Sequence, residues 1–459
     1  MYLGGWLLCS LPSAPNNPMP AVAADPEAAR AFAIEVVRKL REAGHEALWA
    51  GGCVRDELLG RTPADYDVAT SAKPDDVREL FGRRRTLAVG AAFGVITVVG
   101  RRGAGHVEVT TFRTDAAYTD GRHPAGVRFS TPQEDAQRRD FTINGLFFDP
   151  LAGKVHDYVG GQADLEKGVV RAIGVASQRF AEDHLRMLRA IRFTAGFGFA
   201  LEAETRAAVE RMAPRVTGVS PERIAAELRL MVARRGRAAA LELLLDTGLA
   251  AEILPEVAMP KGLPVARDRW RLAASVVAAI DEPALPAALA TLVDVAGGQH
   301  AAVPDAAFHR RPRCATIATI CSRLRLSNDE TTTADWLLEA VRRLEALAAP
   351  AGVAAAAWSD LQPWLADPRG RELADLLRAR ADNGLETAET AAWVTAQLER
   401  PQDELDPPPL LSGHELMAVG VAKGREIGRW LAAIRCRQLD GELASKEDAI
   451  AWVMHQSRL

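Results

Sequence analysis

The sequence predicts an α+β fold, in which a mixed sheet with its helices occupies the first third of the chain and helices alone follow. The segments GVITVVG and HVEVTTF, within residues 94–112, are rich in β-branched residues, which is typical of strands. Beyond Phe180, long Ala-, Leu- and Arg-rich segments place apolar residues at helical spacing with almost no alternation. The 459 residues are enough for two to four domains.

The elements of the first part follow one another in a clear order. We expect a helix from Pro26 to about Ala43, a strand over EALWA, a short helix over VRDELLG and a second strand over DYDVAT. PDDVRELF predicts a further helix, because Pro and two acids stand in its first turn. The strand of RRDFTINGLFFDP completes the unit near Asp149. His156-Asp157 is interpreted as the end of a strand, with Gly160-Gly161 as the turn after it.

Changes in composition and Pro-rich breaks divide the rest of the chain into helical parts. We expect residues 1–25 to be a disordered tail, or translation to begin at Met19. The predicted domains are a head at 26–168, a helical neck at 169–245, a helical body at 246–405 and a helical tail at 406–459.

The composition restricts the class of protein. An apolar fraction of 48% and a charged fraction of 25% are ordinary for a globular protein, and no apolar run reaches the about 18 residues of a membrane span. The five Cys residues are scattered without CxxC spacing, which argues against disulfides and zinc and favours a reducing, cytoplasmic location. Because the net charge is −4, a polyanionic partner must meet a local basic patch.

Two acids one residue apart are the first candidates for chemistry. Asp65 and Asp67 lie on one face of the predicted second strand, where two unpaired carboxylates repel each other unless a cation bridges them. An isolated pair of this kind is more often a solvated turn. Here Gly51-Gly52 precedes it at a strand-to-helix junction that can approach phosphate, and Arg55 on that short helix can add a charged contact.

A third acid alternates into the strand HVEVTTF. Glu108 and the two aspartates together can hold two Mg²⁺ ions, one at an attacking hydroxyl and one at a triphosphate, although an edge-strand surface Glu is the simpler interpretation. Arg138, Arg139, Asp140 and Asn144 stand beside an apolar strand and suit phosphate and sugar oxygens, or else form a solvated strand entry.

The segment FAEDHLRMLRAIRF predicts a helix with Asp183 and Arg186 on one face. The pair is either an ordinary surface ion pair or a reader of the base. Cytosine and adenine each offer an amino donor to a carboxylate and a ring-nitrogen acceptor to Arg, and guanine and uracil present the opposite pattern.

In this order the motifs resemble the class II tRNA nucleotidyltransferase/poly(A) polymerase family of the polymerase-β superfamily. GGCVRD with DYD is similar to its metal motif, RRDFTING to its nucleotide-sugar motif and EDHLR to its base-templating motif. SPERIAAEL resembles its neck helix, TDGRHP its mobile loop, and the segment from Leu410 to Leu431 its C-terminal helices. The resemblance covers roughly Arg30 to Leu459; Gly145 departs from the usual Ala.

The resemblance implies a polymerase-β-like nucleotidyltransferase head and a set of roles. Asp65 and Asp67 would bind Mg²⁺ with Glu108 as third carboxylate, and Gly51, Gly52 and Arg55 would contact the triphosphate. Arg139, Asp140 and Asn144 would shape the nucleotide pocket, and Asp183 with Arg186 would read the base. It implies CCA addition to the tRNA 3′ end from CTP and ATP, with release of pyrophosphate and with neither DNA nor membrane as partner.

Other activities share the same framework. A poly(A) polymerase is the main alternative, although the mixed C-terminal sequence and acidic balance favour the tRNA enzyme; an enzyme that adds only CC or only A, and a catalytically inactive RNA-binding protein, are the others. The Arg clusters Gly82–Arg85, Ala233–Arg237 and His309–Arg313 are candidates for RNA phosphates or simply solvated faces. Arg234, Arg235 and Arg237 are the preferred RNA contacts, because they follow the neck motif.

Overall fold

The structure is a computed structural model that describes residues 25–101, 103–115, 127–258, 264–297, 314–348 and 352–456. The predictions made for residues 1–24, for the loop Thr119–Pro124 and for the cluster His309–Arg313 lie outside the described residues. The chain divides into two compact units, Met1–Glu166 and Lys167–Leu459.

The first unit contains nine strands and five helices among its described residues. The strands are β1 (Ala47–Ala50), β2 (Tyr66–Thr70), β3 (Thr86–Leu87), β4 (Val95–Val99), β5 (His106–Thr111), β6 (Arg113–Asp115), β7 (Val127–Phe129), β8 (Leu146–Asp149) and β9 (Lys154–Asp157). The helices are α1 (Pro26–Glu42), α2 (Gly52–Leu58), α3 (Pro74–Phe81), α4 (Pro132–Gln137) and α5 (Gly161–Lys167).

Seven of these strands form one mixed sheet in the order β3-β4-β5-β2-β1-β8-β9. Neighbouring strands are antiparallel except β2 and β5, which run parallel. The parallel pair is set in register so that Asp67 faces Glu108. Strands β6 and β7 form a separate hairpin-like pair.

Strand alternation divides the apolar residues between the two faces of the sheet. On one face, α1 covers the strands with a buried stripe that includes Ala33, Val36 and Leu40, and its Arg30 lies 5.3 Å from the centroid of the Trp49 ring. The opposite face carries a second core of small and aromatic residues, formed by Leu48, Ala50, Ala69, Phe112, Ala136 and Phe147. Asp67 and Glu108 share this second face, since they alternate with buried residues of the first.

The second unit is almost entirely helical. Its helices are α6 (Ala176–Glu182), α7 (Leu185–Phe197), α8 (Ala203–Met212), α9 (Pro221–Val232), α10 (Arg237–Asp246), α11 (Leu249–Ile253), α12 (Pro264–Ala279), α13 (Leu285–Thr291), α14 (Ala315–Arg323), α15 (Asn328–Ala348), α16 (Trp358–Leu365), α17 (Gly370–Asp382), α18 (Ala388–Leu398), α19 (Gln402–Leu405), α20 (Gly413–Ala418), α21 (Arg425–Leu439) and α22 (Lys446–Gln456). Among the described helices none is long and apolar enough to cross a bilayer.

The α+β prediction is confirmed, and one detail of it needs correction. Two-residue strands β10 (Val169–Val170) and β11 (Ala200–Leu201) pair in parallel near the start of the helical unit. Strands this short produce no alternating pattern, so the sequence predicts only helices there. The division of the helical unit into neck, body and tail stays a prediction.

Candidate active site

Three carboxylates meet at one place on the head sheet. Asp65 directly precedes β2, Asp67 lies in it, and Glu108 is the residue opposite Asp67 on the parallel strand β5. Asp65 and Glu108 are exposed, whereas Asp67 is half-buried. Parallel partners in register point to the same side of a sheet, so the fold places Asp67 and Glu108 on one face. Asp65 lies in a bend before β2 and not on a strand face, which differs from the prediction for the pair Asp65 and Asp67.

The charge of Asp67 is disfavoured by its surroundings. Burial is the largest cause, and repulsion from Asp65 and from Glu108 adds to it, so the pKa of Asp67 rises to about 7. Arg139 acts in the opposite direction and lowers this pKa. The three acids therefore interact electrostatically, and the nearby cation only partly offsets their repulsion.

This donor set suits a hard divalent cation. Carboxylate oxygens are the ligands of Mg²⁺, which completes its shell with water and substrate phosphates. A bound cation would also relieve the repulsion that raises the pKa of Asp67. Within the described residues no group of three His, Cys, Asp or Glu side chains is arranged so that it could hold a metal ion. Asp65, Asp67 and Glu108 are therefore candidate Mg²⁺ ligands only together with substrate oxygens and water.

Gly51 lies where a side chain would be both strained and crowded. It ends β1 and precedes α2 with φ +73°, a left-handed value that favours glycine. A Cβ atom on Gly51 would lie 2.7 Å from Nη1 of Arg139. The Cβ of a residue at Gly52 would make only an ordinary contact, 3.7 Å from Nη2 of Arg55. Both the backbone conformation and the nearby guanidinium therefore favour glycine at Gly51, but not at Gly52. The sequence pattern alone does not distinguish the two glycines.

Arg139 is held in place by groups on several elements. Its guanidinium pairs with the buried Asp135 at 3.0 Å, and its Nη1 donates to the carbonyl oxygen of Asn144 at 3.4 Å. The guanidinium carbon also lies 5.0 Å from the centroid of the Phe147 ring. Asp135 binds Arg138 as well, and although burial favours its neutral form, the two arginines hold the pKa of Asp135 below its usual value.

Asp135 is a site residue that the sequence analysis missed. Its spacing to Arg138 and Arg139, three and four residues apart at the end of α4, is the signal that could have found it.

Arg55 points into the protein and forms part of a buried network. It is 7% exposed, and its Nη1 donates to Oδ1 of Asn144 at 2.6 Å while its Nε donates to Asp56 at 2.9 Å. Asn144 in turn donates from Nδ2 to Oδ1 of Asp140 at 3.1 Å. Asn144 thus links Arg55 to Asp140, and the structure joins two motifs that are far apart in the sequence.

The predicted helix through EDHLR is interrupted. Helix α6 ends at Glu182, and Asp183 adopts an extended backbone with φ −149° and ψ 108° before α7 begins at Leu185. The backbone N–H of Leu185 donates to Oδ1 of Asp183 at 3.1 Å, across His184, which is the N-cap residue of α7. The placement of Asp183 and Arg186 on one face of one helix is therefore wrong.

Asp183 and Arg186 have separate partners. Asp183 forms a two-pronged ion pair with Arg223 of α9, with N–O distances of 3.2 and 2.7 Å. Arg186 pairs with Glu182 at 2.5 Å and donates to the carbonyl oxygen of Arg179 at 3.1 Å. The simple surface ion pair between Asp183 and Arg186 is thus not formed, and Arg223 is a further residue at this position that the sequence analysis did not single out.

The three Arg residues predicted to bind RNA differ in exposure. Arg234 and Arg235 are exposed after α9. Arg237 is 8% exposed, and its guanidinium donates to the carbonyl oxygens of Ile280 at 2.7 Å and Arg234 at 3.1 Å. Arg237 therefore stabilises the start of α10, because its donors are used inside the unit.

One segment, almost all of it in the first unit, and another in the second unit each match a known protein family. Residues 47–171 match the family described as the Poly A polymerase head domain, and residues 198–259 match the probable RNA and SrmB-binding site of polymerase A. CCA-adding enzymes of Geobacillus kaustophilus and Bacillus subtilis are 44% and 43% identical over 220 and 222 residues, which is 48% of this chain in each case. Two segments of the chain thus match families of polymerase A, and about half of the chain is similar in sequence to CCA-adding enzymes.

Solved structures of CCA-adding enzymes resemble nearly the whole chain in fold. The Bacillus stearothermophilus enzyme in complex with CTP is 29% identical with a TM-score of 0.73, over 93% of this chain and 97% of that one. The Thermotoga maritima enzyme complexed with tRNA has a TM-score of 0.63 at 18% identity, over 95% of this chain and 97% of that one. This similarity shows a common fold. In sequence, the chain spans about half the length of the curated relatives it matches, 53% and 55% for the two enzymes above.

Proposed function

We propose that this protein is a template-independent nucleotidyltransferase that adds CCA to the 3′ end of tRNA from CTP and ATP and releases pyrophosphate. The alignment of Asp67 with Glu108 beside Asp65, in a chain whose head matches this family, is the observation that carries the proposal. The 3′-hydroxyl of the RNA would attack the α-phosphate of the nucleotide. The proposed setting is cytoplasmic.

The residues of the head divide the chemistry between them. Asp65, Asp67 and Glu108 would hold two Mg²⁺ ions, which when bound neutralise the triphosphate and lower the pKa of the attacking hydroxyl. Gly51 leaves the backbone at the end of β1 open to the triphosphate, and Arg139 beside it supplies positive charge. Asp140 and Asn144 would bind the sugar.

Base selection is proposed for Asp183 and Arg186. A carboxylate accepts from the amino group of cytosine or adenine, and a guanidinium donates to the adjacent ring nitrogen. The bidentate pair with Arg223 holds the carboxylate of Asp183 in one orientation, and the pair with Glu182 does the same for the guanidinium of Arg186. Protein side chains of this kind would admit C and A without a nucleic-acid template.

The substrate is tested with three RNAs, each offered one nucleotide at a time with Mg²⁺. A tRNA that ends before CCA should gain two C residues from CTP, a tRNA that ends in CC should gain one A from ATP, and an unrelated RNA should gain nothing. Sequencing of the products reads the outcome. Long A tails on all three RNAs would instead identify a poly(A) polymerase, and reaction of only one tRNA would identify a CC-only or A-only enzyme.

The site is tested by removing one carboxylate at a time. Asp67→Ala should lower incorporation more than about a hundredfold, because it removes a ligand that substrate oxygens cannot replace. Asp75→Ala removes an exposed carboxylate from α3 of the same unit and serves as the matched control. Incorporation that survives Asp65→Ala and Asp67→Ala would refute the metal assignment.

A further inference from the structure

The start of helix α5 packs directly against the turn that carries the proposed sugar-binding residues. Gly161 is the first residue of α5, and the turn is the short 3₁₀ helix Thr142–Asn144. A Cβ atom on Gly161 would lie 2.2 Å from the carbonyl oxygen of Thr142 and 2.9 Å from a methyl group of Leu146. Backbone therefore touches backbone here, and only a glycine permits that distance.

The position of α5 is fixed from the other side by Asp157 at the end of β9. Its carboxylate accepts hydrogen bonds from the backbone N–H groups of Val159, Gly161 and Gln162, each at 3.0 Å. Three charge-assisted bonds to one carboxylate leave the first turn of the helix little freedom. The segment that the sequence indicates as a simple Gly-Gly turn is thus a rigid connection from the sheet to α5.

Asp164, one turn further along α5, reaches the same 3₁₀ turn with its side chain. The hydroxyl of Thr142 donates to Oδ2 of Asp164 at 2.7 Å. Both residues are buried, at 3% and 6% exposure. In such surroundings a hydrogen bond to a carboxylate is strong, and its loss leaves a buried acceptor without that donor.

The 3₁₀ turn connects Thr142 to the residues of the proposed nucleotide pocket. Asn144 lies two residues after Thr142, receives a hydrogen bond from Arg55 and donates one to Asp140. A shift of Thr142 would therefore move the amide of Asn144 and, through it, the carboxylate of Asp140. Displacements of about 1 Å at such groups are enough to weaken binding and catalysis.

We propose that Thr142 and Asp164 are positioning residues for nucleotide binding, and that the Gly161 contact and the Thr142–Asp164 hydrogen bond set the orientation of Asp140 and Asn144 toward the sugar. Neither residue would touch the nucleotide. The inference rests on the proposed function, since it assumes that the pocket takes a ribonucleoside triphosphate.

The test is Thr142→Val, which replaces the hydroxyl by a methyl group of similar size. We expect the Kd for CTP with Mg²⁺ to rise about tenfold, the factor for about 1.4 kcal/mol. We also expect the ratio of kcat/KM for CTP over dCTP to fall, because the groups displaced are those proposed to meet the sugar. Thr142→Ser keeps the hydroxyl and should restore both quantities to within about twofold.

Thr205→Val is the matched control. Its hydroxyl also donates to a carboxylate, Oε2 of Glu202, at 2.7 Å and at 1% exposure, but in the helical unit. This variant should lose thermal stability while keeping the Kd for CTP and the CTP/dCTP ratio of the wild type. A loss of stability alone in Thr142→Val, with both nucleotide quantities unchanged, would overturn the proposal.

A second variant covers the case in which Thr142→Val does not fold. Asp164→Asn keeps an oxygen acceptor but loses the charge, and we expect a rise of about threefold in the Kd for CTP; an unchanged Kd and ratio would again overturn the proposal. Failure of the proposed activity can be told apart from failure of this inference. A wild-type protein that binds CTP but transfers none to any RNA would refute the reaction, and the comparison of CTP binding between the variants would still hold.

Discussion

At the scale of single residues, the candidate site concentrates negative charge where burial makes it costly. The carboxylate of Asp67 has a pKa near 7 because it is half-buried beside Asp65 and Glu108. Asp135 shows the opposite case, because two arginines surround it and hold its pKa low despite burial. The difference is physical, because two arginines form ion pairs with Asp135, whereas Arg139 only partly offsets the repulsion that Asp65 and Glu108 exert on Asp67.

Gly51 gives a sharp prediction at this scale. Gly51→Ala should lower the free energy of unfolding by about 1–3 kcal/mol, because alanine is strained at a positive φ. It should also lower the affinity for CTP, because the new methyl group would displace the guanidinium of Arg139. Denaturant unfolding and CTP titration measure the two effects.

Gly44 is the control for that substitution. It has a similar φ, +86°, but a Cβ atom there would lie more than 4 Å from every described residue other than its chain neighbours. Gly44→Ala should therefore show the backbone cost alone, with CTP affinity unchanged. Equal behaviour of the two variants would show that the contact with Arg139 has no part in nucleotide binding.

At the scale of elements, helix α9 organises the start of the helical unit by its charges. Arg223 binds Asp183 at the break between α6 and α7, Glu227 forms a buried pair with Arg192 of α7 at 2.6 Å, and Arg229 binds Glu330 of α15 at 2.7 Å. The first two pairs fix the break and the helix that follows it. The extended backbone at Asp183 is thus maintained by tertiary contacts.

The base-reading proposal yields a prediction for this element. Asp183→Ala or Arg186→Ala should reduce discrimination against UTP and GTP while Mg²⁺ binding persists, because the carboxylates proposed to bind Mg²⁺ lie in the first unit. Competition assays with single nucleotides measure the ratio of incorporation rates. Asp268→Ala, which removes a largely exposed acid from α12, should leave that ratio unchanged. Discrimination that survives both site variants would place base reading elsewhere.

At the scale of the whole molecule, the exposure of individual arginines matters more than the net charge. The chain has a net charge of −4, so binding of RNA requires local groups of arginines. Arg234 and Arg235 are exposed, and Arg237 beside them is buried. Proximity in sequence therefore does not make the three residues equivalent.

Salt dependence separates these roles. The double substitution Arg234→Ala with Arg235→Ala should weaken tRNA binding and reduce the slope of log K against log[salt] by roughly 1.5, if each residue meets one phosphate. Arg237→Ala should instead lower the melting temperature, because it removes the hydrogen bond to Ile280. An unchanged slope in the double variant would exclude this segment from the RNA interface.

The sequence by itself determined the α+β class, the order of the head elements and the strand positions of Asp67 and Glu108. These features depend on local periodicity and on alternation along single strands, which a sequence displays directly. The tertiary structure alone decided which partners the buried polar groups have in distant segments of the chain. Arg55 meets Asn144 across 89 residues, Asp183 meets Arg223 across 40, and Thr142 meets Asp164 across 22. No local pattern encodes such pairs, because they form only when packing removes water from distant segments together.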